Sequence, residues 1–342
     1  MAADLPDRFE DETHLEEVMT RPDAALSADL ARLAGDIMVL GAGGKMGPTL
    51  CRLAKRAAPD KRVIAVARFS TKGLAHALEA HGVETITCDL MNGAALAALP
   101  DVENIVYMAG YKFGATGNEP LMWAMNAAVP ARVAERFAAA RIVALSTGCV
   151  YPFVPVDGSG PTETMPIGPP PGEYAWSCVA RERMFEDGSR RHGTPGRLIR
   201  LNYAIDMRYG VLSDIATIVH AGEQVDLSMG HANVIWQGDA NSHILRALAH
   251  VTTPTSPLNV TGPQVRVRDL ADAFAQNFGT TATFARKEAP TAWLNDASAS
   301  WEMFGKPSVP LDRMIAWQAD WVARGLPSLG KPTGFQVRDG KF

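Results

Sequence analysis

Residues 38–50 read Met38-Val39-Leu40-Gly41-Ala42-Gly43-Gly44-Lys45-Met46-Gly47-Pro48-Thr49-Leu50. The apolar run from Ile37 to Leu40 breaks into glycines, after which Leu50, Leu53 and Ala54 recur at helical spacing. A buried strand, a tight turn and a helix N-terminus in that order make a cradle for phosphate. Gly41 permits the turn, Gly44 lets backbone approach a pyrophosphate, and Gly47 lets the helix pack close to the strand. The helix start adds N–H groups and the positive end of its dipole, so Gly43, Lys45 and Met46 join the candidate dinucleotide contacts. The spacing is Gly-x-x-Gly-x-x-Gly, and Gly43 also satisfies Gly-x-Gly-x-x-Gly.

Outward from this loop, strand and helix patterns alternate as a doubly wound sheet requires. Strands are expected at 37–41, 62–67, 84–87, 104–108, 141–146 and 197–202, with helices at 46–57, 71–81, 93–98, 119–139 and 174–192. The fold class is α/β: a Rossmann-type doubly wound parallel sheet with a smaller C-terminal α/β substrate lobe. Its expected divisions are an N-terminal helical extension (1–36), a dinucleotide-binding domain (37–203) and a mainly substrate-binding lobe (204–342). In that last part, strands are expected near 224–227 and 257–260, and helices at 212–221, 239–250, 267–278 and 310–324. Helical patterns at 13–20 and 23–34 read as a packing or oligomer-contact extension, so a homodimer is open. Residues 152–172 carry too much Pro and Gly for regular structure and read as a lid, a binding loop or a surface excursion. The tail 325–342 reads as irregular.

The chain has 342 residues, 47% hydrophobic and 20% charged, with net charge −4 and no basic block. That suits a globular enzyme and disfavours nucleic acid as a partner. No apolar run approaches a membrane span. The four cysteines are scattered, without metal-ligand spacing and with no signal peptide ahead of them, so reduced thiols in the cytoplasm are expected, with no metal.

Two more clusters carry chemistry: Leu145-Ser146-Thr147-Gly148-Cys149-Val150-Tyr151, ending the fifth strand, and Glu173-Tyr174-Ala175-Trp176-Ser177-Cys178-Val179-Ala180-Arg181-Glu182, opening the next helix. With the glycine loop, these resemble the extended short-chain dehydrogenase/reductase superfamily, the nucleotide-sugar epimerases and dehydratases, over nearly all of residues 37–325. Val106 to Asn126 is similar to the same region of UDP-galactose epimerases. The resemblance implies adenine contacts at Asp89 and Leu90, a small-residue turn at Ala109 and Gly110 beside the cofactor, and a further cofactor-site residue at Asn126, matching the asparagine of the family's following long helix. It also implies that Thr147 hydrogen-bonds the reacting oxygen and that Tyr174 exchanges the proton. A strand-end hydroxyl and a half-buried aromatic are the plainer uses of those two residues.

The motif departs from its family at one place. Tyr-x-x-x-Lys is expected, and the fifth position is Cys178, which would stand where the family's lysine holds the nicotinamide ribose and favours tyrosinate. A free phenol has a pKa of about 10 and is only about 0.1% ionised at neutral pH. A neighbouring cation lowers a pKa by roughly 1–3 units, and a thiol cannot. Lys112, directly after the fourth strand, is the candidate substitute, and a solvated loop lysine is its plainer reading. Cys178 then packs; no histidine nearby in sequence pairs with it as a nucleophile.

At the end of the second strand stand Ala67 and Arg68 rather than the acidic residue that selects NAD. NADP is favoured and NAD is the alternative; Arg68 stacked on adenine is the other use of that side chain. Substrate-facing positions are expected at Cys149, Asn202, Tyr203 and Trp236, with a domain-interface role open for Trp236. The expected activity is NAD(P)-dependent hydride transfer on a sugar or sugar-derived hydroxyl or ketone. A net dehydrogenase of a free sugar, sugar acid or lactone is one alternative, and a non-catalytic NAD(P)-binding sensor or scaffold is another.

Overall fold

The computed structural model describes residues 5–112 and 117–340. Seven parallel strands form the central sheet: β1 (Ile37–Leu40), β2 (Val63–Ala67), β3 (Glu84–Thr87), β4 (Asn104–Tyr107), β5 (Arg141–Thr147), β6 (Gly196–Leu201) and β7 (Ser256–Val260). Their spatial order is 3-2-1-4-5-6-7, which reverses direction between β1 and β4. Ligands bind at such a reversal, beyond the carboxyl ends of the strands.

Alternation along β1 shows why the sheet is buried on both faces. Ile37 and Val39 pack into one apolar layer with Leu26, Leu30, Leu50 and Ile244, while Met38 and Leu40 pack into the other with Val129, Val133 and Phe185. Two covered faces explain why this strand is a continuous apolar run rather than an alternating one.

The first six strands fall where the sequence places them, to within about one residue. Residues 257–260, expected as a strand beyond the sixth, extend the main sheet by pairing with β6, Asn259 opposite Arg200. The helix Gln237–Arg246 likewise packs against the first helix of the dinucleotide unit, so residues 204–342 build part of the Rossmann layer as well as a second apolar core.

Residues 5–36 pack within the chain. Helix α1 (Glu12–Met19) sends Leu15, Val18 and Met19 into the second core beside Trp236, Trp317 and Trp321, and helix α2 (Ala24–Arg32) sends Leu26 and Leu30 into the first. Arg52 pairs with Glu16, and Arg56 with Glu17, fastening α1 to helix α3 (Gly47–Ala57).

The region expected as one helix over 119–139 is interrupted. A π-turn at Ala124–Ala128 separates Glu119–Trp123 from Val129–Arg136. Pro130 has no N–H, and its ring crowds the carbonyl four residues back, that of Asn126; the wider turn relieves both. The loop 152–172 is held down by a two-residue strand, Val154–Pro155, paired with Thr291–Ala292. Residues 325–340 contain neither helix nor strand.

Candidate active site

One cleft crosses the carboxyl ends of β1, β2, β3 and β4. It is lined by Gly41, Gly43 and Gly44, by Arg68 and Phe69, by Asp89 and Leu90, and by Ala109 and Gly110. All of these but Phe69 are expected cofactor residues, and they share one surface.

The glycines divide by function. Gly41 has φ +90°, and a Cβ there would lie 2.5 Å from the Ala109 nitrogen. At Gly47 it would lie 2.3 Å from the Ala42 carbonyl oxygen, so helix and loop could not close up. At Gly44 a Cβ would meet only the Gly41 carbonyl, at 3.6 Å, and would otherwise project into the cleft. Only what binds there needs that space. No side chain caps the start of α3, so its first amides are offered to an anion. A dinucleotide with its pyrophosphate on this helix fits these residues.

Lys45 and Met46 leave the cleft wall. The Lys45 ammonium lies 3.0 Å from the centre of the Tyr209 ring. Burial, with Lys112 and Lys331 nearby and Asp214 opposing, lowers its pKa to about 7. Met46 packs partly buried against the first core.

Past Gly110 the loop carries Lys112 over Tyr174, with the ammonium 5.6 Å from the ring centre. Burial pulls Lys112 below the ordinary lysine range, against Cys149 and Cys178 beside it. Burial also pushes the Tyr174 phenol well above its usual value, helped by Cys178 and Cys149 and opposed by Arg181. The resting phenol is therefore protonated. Thr147 ends β5, and its hydroxyl oxygen accepts from the Cys149 amide at 3.2 Å. Thr147, Cys149, Lys112 and Tyr174 thus gather from three elements.

Cys178 is fully buried with Val150, Tyr151 and Val179 and is not part of the cofactor cleft's lining, but its side chain hydrogen-bonds the Tyr174 phenol. Asn126 is also fully buried; its amide bonds the backbone of Tyr111 on both sides, together with Ser177 and Arg181, and so holds the loop rather than a ligand.

The expected substrate positions divide. Cys149, 8% exposed, lies beside Lys112 and Tyr174. Tyr203, with φ +32°, sits near Cys149, Tyr209 and Asp214, where burial raises its phenol. Asn202 is correctly at a strand end, but its amide is spent on Trp293 and Asn295. Trp236 belongs to the interior: it is 3% exposed, stacked on Phe9 at 6.0 Å and tilted on Trp317 at 5.4 Å. The N-terminal extension that covers it carries no local signal of where it lands.

One contributor escapes the motif reading. Arg181, three residues past Cys178, is 6% exposed and donates to the Leu145 carbonyl at 3.0 Å and to Asn126 Oδ1 at 2.6 Å. Three residues along a helix share a face, which is the only hint the sequence holds.

The family model described as NAD dependent epimerase/dehydratase family matches residues 37–228. No curated protein matches the sequence. Among solved structures, dTDP-glucose 4,6-dehydratase from Bacillus anthracis in complex with NAD has a TM-score of 0.73 at 15% identity, covering 85% of this chain and 97% of that one. UDP-glucuronic acid 4-epimerase from Bacillus cereus, in complex with UDP-glucuronic acid and NAD, gives 0.70 at 16%, covering 84% and 99%. UDP-glucose 4-epimerase from Thermus thermophilus, in complex with NAD, gives 0.68 at 18%, covering 83% and 98%. At these identities the likeness is one of fold.

Proposed function

The chain belongs to the NAD dependent epimerase/dehydratase family, and from that premise we propose that it is an NAD(P)-dependent oxidoreductase of the epimerase/dehydratase type, acting on a sugar or sugar-derived hydroxyl or ketone. The observation that carries this reading is that the cleft lined by Gly41, Arg68, Asp89 and Gly110 ends two residues before Lys112, whose ammonium lies over the Tyr174 ring.

A bound nicotinamide dinucleotide would supply hydride acceptance and donation. Gly41, Gly43, Gly44 and the start of α3 would hold its pyrophosphate, Asp89 and Leu90 its adenine, and Arg68 a 2′-phosphate where the cofactor is NADP. Tyr174 Oη gives the proton to a carbonyl oxygen or takes it from a hydroxyl, and Thr147 Oγ1 orients that oxygen. Lys112 supplies the positive charge that the helix lacks at 178. Because the resting phenol is protonated, the site at neutral pH stands ready to donate.

The test is a fluorescence titration with NADH and NADPH, followed by a panel of nucleotide sugars, free sugars and sugar acids. Tighter NADPH binding, and its loss in Arg68→Ala, is expected. Binding of neither dinucleotide would overturn the reading. Binding without turnover of any panel member, in both wild type and Tyr174→Phe, would favour a binding-only protein.

A further inference from the structure

Lys112 reaches Tyr174 from a loop, whereas an ammonium at position 178 would be fixed by its helix. A charge on a loop is useful only where the loop is held. The residue before it is held on both sides: the Tyr111 N–H donates to Asn126 Oδ1 at 2.9 Å, and Asn126 Nδ2 donates to the Tyr111 carbonyl at 3.0 Å. An amide makes this pair in one orientation only, since turned over it would set donor against donor.

Two buried partners favour that orientation: Ser177 Oγ accepts from Asn126 Nδ2 at 2.9 Å, and Arg181 holds the oxygen side. Its Nη2 donates to Asn126 Oδ1 at 2.6 Å, and its Nη1 donates to the Leu145 carbonyl on β5 at 3.0 Å. The planar fork therefore ties strand to π-turn, a geometry that suits guanidinium and not a flexible ammonium. Gly110 admits it, for a Cβ there would stand 2.6 Å from Nη2. The adjacent carboxylate does not compete: Glu182 is taken by Arg200 at 2.7 Å and Ser146 at 2.6 Å. Among the described residues, Arg181 forms no ion pair, and its hydrogen bonds go only to a carbonyl and an amide oxygen.

We propose that Arg181 is the positioning residue for Lys112: through Asn126 it clamps the Tyr111 peptide and so keeps the Lys112 ammonium over Tyr174. This rests on the reading of Lys112 as the cation that serves Tyr174. Among the groups facing that ammonium are Tyr174 and Cys178 on one helix, Cys149 after β5 and Lys45 on the glycine loop.

The test is competitive acylation of the full-length protein with acetic anhydride across pH, with Lys112 and the exposed Lys287 read in the same digest by mass spectrometry. In wild type, Lys112 titrates below Lys287 or reacts more slowly. In Arg181→Met and in Gly110→Ala, whose Cβ would stand 2.6 Å from Arg181 Nη2 and 3.3 Å from Asn126 Oδ1 and so crowds the clamp while keeping its charge, the Lys112 profile moves up by about one pH unit toward that of Lys287. Gly110→Ala decides the matter if Arg181→Met does not fold. A wild-type Lys112 that titrates like Lys287, or a profile unmoved in folded Gly110→Ala, overturns the proposal. A merely structural Arg181 would lower the melting temperature and leave the two lysines in the same relation. Failure of the enzymatic reading would appear separately, as absent dinucleotide binding with the Lys112 shift intact.

Discussion

The Lys112 ammonium lies over the ring of Tyr174, 5.6 Å from its centre, although the two come from different elements. Position 178, where a lysine would share a helix with that tyrosine, is a buried cysteine. Burial and the neighbouring thiols raise the phenol, so a group that must ionise to accept a proton is held in its acid form. Arg181 opposes this rise; on the proposed reading Lys112 is a second opposing charge, and its removal raises the phenol further. Lys112→Ala should therefore cut hydroxyl oxidation at neutral pH by about tenfold or more and move its alkaline rise up by roughly one to three pH units. Dinucleotide affinity should change less. The check is a pH–rate profile in both directions: carbonyl reduction, which uses the protonated phenol, should stay flat through neutral pH.

The glycine loop separates two ways of failing. Gly41→Ala forces a side chain onto backbone at φ +90° and 2.5 Å from Ala109 N, and should lower stability by about 2 kcal/mol or more. Gly44→Ala meets nothing closer than 3.6 Å and should melt like the wild type. Its methyl group points into the cleft, however, so dinucleotide affinity should fall at least tenfold. Thermal melts beside fluorescence titrations separate the two outcomes.

How far the sequence carries follows from which interactions are local. The pattern from Ile37 to Ala54 is local: the apolar run, the glycine spacing and the helical repeat after Gly47 lie within one βα unit, and the structure reproduces each. Lys112 is legible because its neighbours Ala109 and Gly110 mark the turn after β4. Arg181 is not, because its partners Leu145 and Asn126 lie 36 and 55 residues away and meet it only once β5, the π-turn and the helix are packed. Trp236 lands away from the cleft for the same reason. Its surroundings are set by Phe9 and Trp317, from the two far ends of the chain.

Beneath the site, Ser146, Arg200 and Asn259 stand opposite one another across β5, β6 and β7. Arg200 grips Glu182 through two nitrogens, at 3.0 and 2.7 Å, and donates to the Tyr151 hydroxyl at 2.7 Å. With Glu182 fully buried and Arg200 3% exposed, losing one partner strands the other charge. Glu182→Leu or Arg200→Met should each cost about 3–5 kcal/mol, whereas the two combined should cost well under the sum. Urea unfolding of the three variants measures the coupling.

His243 supplies a pH dependence of stability separate from the chemistry. It is 5% exposed beside Phe304, with no hydrogen-bond partner for Nδ1 among the described residues. Burial, with Arg246 nearby and Asp23 opposing, lowers its pKa from 6.5 to about 4. A base whose folded pKa is depressed stays neutral in the native state while the unfolded chain takes up a proton. The unfolded state therefore binds more protons between pH 6.5 and 4, and stability falls as pH falls through that window. The full shift corresponds to about 3 kcal/mol at the acid end. In His243→Gln this contribution is absent. Urea midpoints of wild type and variant should then converge, or cross, as pH drops from about 7 to about 4, since every other titrating group is common to both. Parallel curves over that range would show that the ring is protonated within the fold.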